Sequence, residues 1–126
     1  MIVMGRLRSL HHPARDELEL EGVLHALSDP ARLRIVAALA ADGGERACGS
    51  LSCDLAKSTM THHFKVLRET GVVAQHDVGT SRMTSLRRED LDARFPGLLG
   101  AVLTAAERPA ADEPAAAGEP AAAKPA

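Results

Sequence analysis

The segment Lys57–Thr70 constrains this chain more than any other. Met60, His63, Phe64 and Leu67 recur at the spacing of one helix face, and Gly71 follows where a helix needs a residue that tolerates the left-handed conformation in order to stop. Ser58 or Thr59 can cap its start. Rotation by about 100° per residue puts Ser58, His62, Lys65 and Glu69 on the opposite side. That face is polar and carries no acid in its first two turns. Beyond Gly71, Val72–His76 and Arg82–Leu86 alternate as strands around Asp77-Val78-Gly79-Thr80-Ser81, a glycine-bearing hairpin loop. A two-faced helix that feeds straight into a hairpin admits few folds.

The flanking segments narrow the choice. Asp16–Leu27 carries Leu20, Val23, Leu24 and Leu27 on one helical stripe. Asp29 then precedes Pro30, an N-cap acceptor followed by the residue best suited to the first helical position. Leu33, Val36, Ala37 and Ala40 continue this second helix until Gly43-Gly44. Ala47–Ser52 is predicted as a short helix, weakened by Gly49 and two serines. A last helix is predicted over Glu89–Ala106, with Leu91, Phe95, Leu98, Leu99, Val102 and Leu103 on its stripe and Pro96 as a kink. The result is mainly α with a small β-hairpin. This is the order of a winged helix-turn-helix, where the fourth helix enters the major groove and the hairpin touches the neighbouring backbone or minor groove.

Phe64 and Phe95 are the only aromatic residues among 126, so the core must be packed from Leu, Val, Ile, Ala and Met. A chain of this length supports one core. From Pro109 onward, PAADEPAAAGEPAAAKPA places a proline every five or six positions, which no helix can run through. It also has too little apolar surface to offset chain entropy. The expected organisation is a flexible arm over 1–14, a DNA-binding and dimerisation domain over 15–108, and a disordered tail over 109–126.

The whole chain has a formal charge of −2, yet Lys57–Arg88 holds six basic residues against Glu69 and Asp77, a net of +4. This asymmetry suits a polyanion, although an ordinary solvated surface accounts for charge alone equally well. No apolar run approaches the roughly 20 residues of a membrane span. The first residues lack the pattern of a secretory signal, so a cytoplasmic protein is expected. No glycine-rich phosphate loop, Gly-x-Ser-x-Gly or His-Glu-x-x-His occurs, and neither catalysis nor a cofactor is expected.

The stretches ALSDPARLRIVAALA and KSTMTHHFKVLRETGVV, with a glycine-centred wing closing on SLRRED, resemble the ArsR/SmtB family of bacterial transcriptional repressors over Val23–Leu103. The resemblance implies a homodimer that binds double-stranded operator DNA and lets go when an effector binds or a thiol is modified. It also implies that Lys57, Ser58, Thr61 and His62 face DNA. Helical rotation places Ser58 and His62 on the same outer face and adds Lys65, which suits a phosphate, whereas short hydroxyls reach phosphates or base edges. Thr59 and Arg68 complete the candidate set on the helix, with Thr80, Ser81 and Arg82 as backbone contacts on the wing. The chain departs from the family at the sensor. Metal-sensing members carry Cys-x-Cys on the third helix or an Asp/His and His/Glu set on the last, and neither stands here.

No metal site is therefore expected. Cys48 and Cys53 leave two readings open, small apolar fillers or sensor thiols made more reactive by Arg46 and Lys57. The adjacent His62 and His63 point about 100° apart and do not readily clasp one ion. His63 is expected packed and hydrogen-bonded on the inner face. His11, His12 and His25 match no zinc-ligand spacing. The stripes of Leu20, Val23 and Leu24 and of Leu98, Leu99, Val102 and Leu103 exceed what one small core can cover. They are expected to form a two-fold interface presenting two reading helices to half-sites about 34–36 Å apart. The competing classes are a metal- or thiol-handling protein and a winged-helix module that binds protein rather than DNA.

Overall fold

A computed structural model describes residues 10–51 and 56–107. The expected tail over 109–126, the first nine residues of the arm and Cys53 lie outside the described residues. Helices α1 (Leu20–Leu27), α2 (Pro30–Asp42), α3 (Lys57–Glu69), α4 (Arg88–Arg94) and α5 (Leu98–Ala106) surround strands β1 (Arg46–Ala47), β2 (Val73–Val78) and β3 (Ser81–Leu86). The sheet is antiparallel in the order β1-β3-β2.

The first helix begins at Leu20, later than expected, after a separate 3₁₀ turn over Arg15–Glu17. Leu18 supplies the reason. A continuous helix would leave it off the Leu20/Val23/Leu27 stripe, whereas extended backbone at Leu18 and Glu19 turns its side chain fully into the core. Residues 10–14, expected as part of a flexible arm, are tied down as well. The Arg87 guanidinium donates to the Pro13 carbonyl at 2.7 Å, and Gln75 N–H donates to His12 Nε2 at 3.0 Å.

α2 starts as its sequence dictates, with Asp29 Oδ2 accepting from the N–H groups of Ala31 at 2.8 Å and Arg32 at 3.2 Å. It stops at Gly43, whose positive φ of 78° accompanies an N–H bond back to Leu39. The short helix expected over Ala47–Ser52 is instead the two-residue strand β1 followed by a 3₁₀ turn, Cys48–Leu51. Arg46 and Ala47 pair with Thr84 and Met83, so the free edge of β3 captures the segment, and its low helix propensity offers no resistance.

The hairpin is tighter than predicted. Val78 pairs with Ser81, leaving Gly79 and Thr80 as a two-residue turn in which Gly79 takes φ 62°. The last helix is broken rather than kinked. Phe95 precedes Pro96 and adopts a non-helical φ of −133°, and Gly97 at φ 83° restarts the chain as α5.

Leu18, Val23, Leu27, Ile35, Val36, Leu39, Phe64, Leu67, Val72, Val73, Leu91 and Leu99 form one continuous core under α3 and the sheet. Gly71 is doubly constrained. It ends α3 at φ 87°, and a Cβ there would lie 2.0 Å from Leu18 Cδ2.

Candidate nucleic-acid interface

α3 sits on the core through Met60, His63, Phe64 and Leu67, all buried. Lys57, Ser58, Thr59, Thr61, His62 and Lys65 are exposed. Ser58 and Thr59 do not cap the helix as expected. The N-cap is Ala56, without a side-chain hydrogen bond, and the two hydroxyl residues occupy the first turn. Thr61 Oγ1 donates back to the Lys57 carbonyl at 3.0 Å, which holds its methyl and hydroxyl in one orientation on the outer face.

The inner face of α3 is fixed to the first two helices by one buried arginine. Arg32 Nε donates to the Ala26 carbonyl at 2.8 Å and its NH2 to the His25 carbonyl at 3.2 Å, satisfying carbonyls at the end of α1. Its NH1 lies 3.1 Å from His63 Nδ1. Because a guanidinium only donates, Nδ1 accepts and the neutral ring carries its proton on Nε2, 3.7 Å from Asp29 Oδ2. Burial pushes the Asp29 carboxyl upward, but the Arg32 and Ala31 N–H groups, together with the nearby Arg32 charge, hold it below the ordinary carboxylate range. The acid that caps α2 thus also faces the ring that seats α3.

The hairpin stands beside α3, and a groove of about 860 Å³ runs between them. Lys57, Thr61, Lys65 and Arg68 line it from the helix, and Thr80 and Arg82 from the hairpin, over a floor that includes Met60 and Phe64. Ser58, Thr59 and His62 lie on the exposed surface of the same helix, outside that lining. Ser81 is exposed beside Thr80. Arg82 Nε is paired with Asp77 Oδ1 at 3.0 Å across the hairpin, both side chains well exposed, so the pair is weak and readily exchanged for a phosphate.

Arg68 departs from the expectation for a DNA-facing side chain. It is half-buried, and its NH1 donates to Gln75 Oε1 at 2.7 Å. Gln75, only 3% exposed, in turn donates from Nε2 to Thr84 Oγ1 at 3.1 Å and Cys48 Sγ at 3.2 Å. Cys48 Sγ and Thr84 Oγ1 are 3.1 Å apart. Sequence reasoning missed this buried polar cluster. The available signal was Gln75 itself, two residues after Val73 and therefore on the inward side of β2, where alternation calls for an apolar residue.

The apolar stripes divide in a way that the sequence did not separate. Val23, at 1% exposure, and Leu99 and Leu103, all expected at the two-fold interface, are buried in the chain's own core. A small sheet and a broken last helix let one core absorb them. Leu98 and Val102 are half-buried against that core, while Leu20 and Leu24, one turn apart on α1, remain 44% and 45% exposed. Among the described residues no group of three His, Cys, Asp or Glu side chains is placed to hold a metal ion, and no helix is long and apolar enough to cross a membrane.

A family model described as a helix-turn-helix domain matches residues 27–76, from the end of α1 through α3 into β2. The chain is 37% identical over 79 residues to an uncharacterized HTH-type transcriptional regulator of Bacillus subtilis, YceK, covering 61% of this chain and 79% of that protein. It is 36% identical over 81 residues to the arsenical resistance operon repressor of Staphylococcus xylosus, covering 59% and 71%. Among solved structures it is similar to the homodimeric winged helix-turn-helix DNA-binding domain Mb0332 of Mycobacterium bovis, a possible ArsR-family regulator. That match has a TM-score of 0.55 and 26% identity, covering 69% of this chain and 77% of that one. With more than a third of the aligned residues identical to such regulators over most of their length, the chain belongs to the ArsR/SmtB family of winged helix-turn-helix transcriptional regulators.

Proposed function

We propose that the protein is a cytoplasmic, homodimeric repressor that binds operator DNA, with α3 in the major groove and the hairpin against the flanking backbone. The observation that carries this reading is one groove with Lys57 and Lys65 exposed on its α3 wall and Thr80 and Arg82 at the hairpin wall, with the inner face of α3 rigidly seated. Lys57, Lys65 and Arg82 supply phosphate contacts, which position without specifying. Ser58, Thr59, Thr61 and His62 supply base-edge or backbone contacts. The arsenical resistance repressor among its relatives favours repression over activation. Release follows when an effector, or modification of the Cys48 thiol, stabilises an arrangement of α3 and hairpin that no longer fits two adjacent grooves. Tenfold weaker binding needs about 1.4 kcal/mol of such preference.

The test is a specificity ranking. A Ser58→Ala, Thr61→Ala, His62→Ala protein is measured against a set of operator variants beside the wild type. The variant should remain folded and lose about 1–3 kcal/mol of discrimination at the bases these residues read. An unchanged ranking would remove the outer face of α3 from sequence recognition.

A further inference from the structure

We infer that Arg68 and Gln75 form a strut that sets the angle between the reading helix and the wing, so that Arg68 serves DNA binding as a positioning residue rather than as a phosphate contact. The inference rests on the operator-binding reading above. α3 has two polar anchors. At its midpoint, His63 is held by Arg32. Near its end, Arg68 reaches across to the middle of β2 and meets Gln75 Oε1 at 2.7 Å.

The orientation of the Gln75 carboxamide follows from chemistry. The guanidinium can only donate, so the oxygen must face Arg68 and the nitrogen must face Thr84 and Cys48. All of its polar atoms are then used, with Thr84 Oγ1 at 3.1 Å and Cys48 Sγ at 3.2 Å as the other partners. These partners sit on β3 and on the turn ahead of α3, so a single side chain joins the end of the reading helix to both strands of the wing and to the segment that leads into the helix. α3 and the sheet also meet in the apolar core, through Phe64, Leu67 and Val73. Such packing resists separation but gives little directional control, whereas a charge-assisted hydrogen bond fixes distance and direction.

The same geometry argues against a phosphate role. If Arg68 swung out to DNA it would leave the Gln75 oxygen, buried with the rest of its side chain, without its donor. Lys65, exposed one turn earlier on the same groove wall, reaches a phosphate at no such cost.

The experiment compares Arg68→Ala, Gln75→Leu, the double variant and Gln75→Glu with Lys65→Ala, measuring operator affinity as a function of salt together with the melting temperature of each free protein. Arg68→Ala and Gln75→Leu should each weaken binding about tenfold, equivalent to about 1.4 kcal/mol. The double variant should be no worse than either, because both remove one link. Arg68→Ala should keep the wild-type salt slope, while Lys65→Ala flattens it by about one unit. Gln75→Glu keeps an acceptor for Arg68 and can accept from the Thr84 hydroxyl and Cys48 thiol, so it should restore binding to within about twofold even if the leucine variant folds poorly. A flattened slope for Arg68→Ala, or additive losses in the double variant with no rescue by glutamate, would make Arg68 a phosphate contact and overturn the strut. A wild-type protein that bound no DNA would instead defeat the operator-binding reading, and the strut's role in binding with it, while coupled melting temperatures for Arg68 and Gln75 would still show the link within the free protein.

Discussion

Single side chains here do their work by joining elements that lie far apart in sequence. His12 illustrates this with a consequence for pH. Its Nε2 accepts the Gln75 N–H at 3.0 Å, which occupies an outward donor of the edge strand β2 and requires a neutral ring. Burial first, then the charges of Arg87, Arg68 and His11, hold the His12 pKa below its ordinary value, outweighing a backbone hydrogen bond at Leu10 that works the other way. The unfolded chain therefore takes up the proton at higher pH than the folded one. The stability gained from a neutral His12 is complete above the ordinary histidine pKa of about 6.5 and is lost as pH falls toward the lower folded value. His12→Gln keeps an acceptor that does not titrate. Between pH 7 and pH 5 the wild-type melting temperature should fall more than that of this variant, and parallel curves would show that the ring does not couple the arm to the sheet.

At the scale of elements, local chemistry predicts what tertiary contacts later edit. Asp29-Pro30 specified the start of α2, Gly71 the end of α3, and the Met60/His63/Phe64/Leu67 stripe the seated face, each because the determining atoms lie within a few residues. Asp29→Ala should cost about 1 kcal/mol in chemical denaturation at pH 7. The same loss should shrink as the wild-type carboxyl protonates in acid, since its folded pKa lies below the ordinary range and the stabilisation is present above that range. An equal loss at both pH values would show that the cap is not ionic. What was not legible depended on partners remote in sequence. β1 exists because β3 offers an open edge, Leu18 leaves the helix because the core wants it, and Arg68 turns inward because Gln75 awaits it. The break at Phe95-Pro96-Gly97 was half legible. Proline announced a disturbance, but only the left-handed Gly97 turned a kink into two helices.

At the scale of the molecule, the division between core and exposed stripe decides how two subunits can meet. Val23, Leu99 and Leu103 are consumed by the subunit's own core, which leaves Leu20 and Leu24 on α1, with half-buried Leu98 and Val102 on α5, as the apolar surface for a two-fold partner. A Leu20→Glu, Leu24→Glu protein should keep its fold, sediment as a monomer and bind operator far more weakly, because one half-site offers only part of the contact area. A dimeric double variant would move the interface to another surface. The proposed dimer would carry the basic groove twice, and the central claim is that this paired surface reads DNA sequence. The direct measurement is a fluorescence anisotropy titration of the wild-type protein with the duplex upstream of its own gene and with a scrambled duplex of the same composition, between 50 and 200 mM salt, the range over which about 6–10 phosphate contacts produce a large change in affinity. The account predicts that both affinities fall linearly with salt on logarithmic axes and that the native duplex is bound at least about 10³-fold more tightly. Equal affinities for the two duplexes, or binding indifferent to salt, would contradict it.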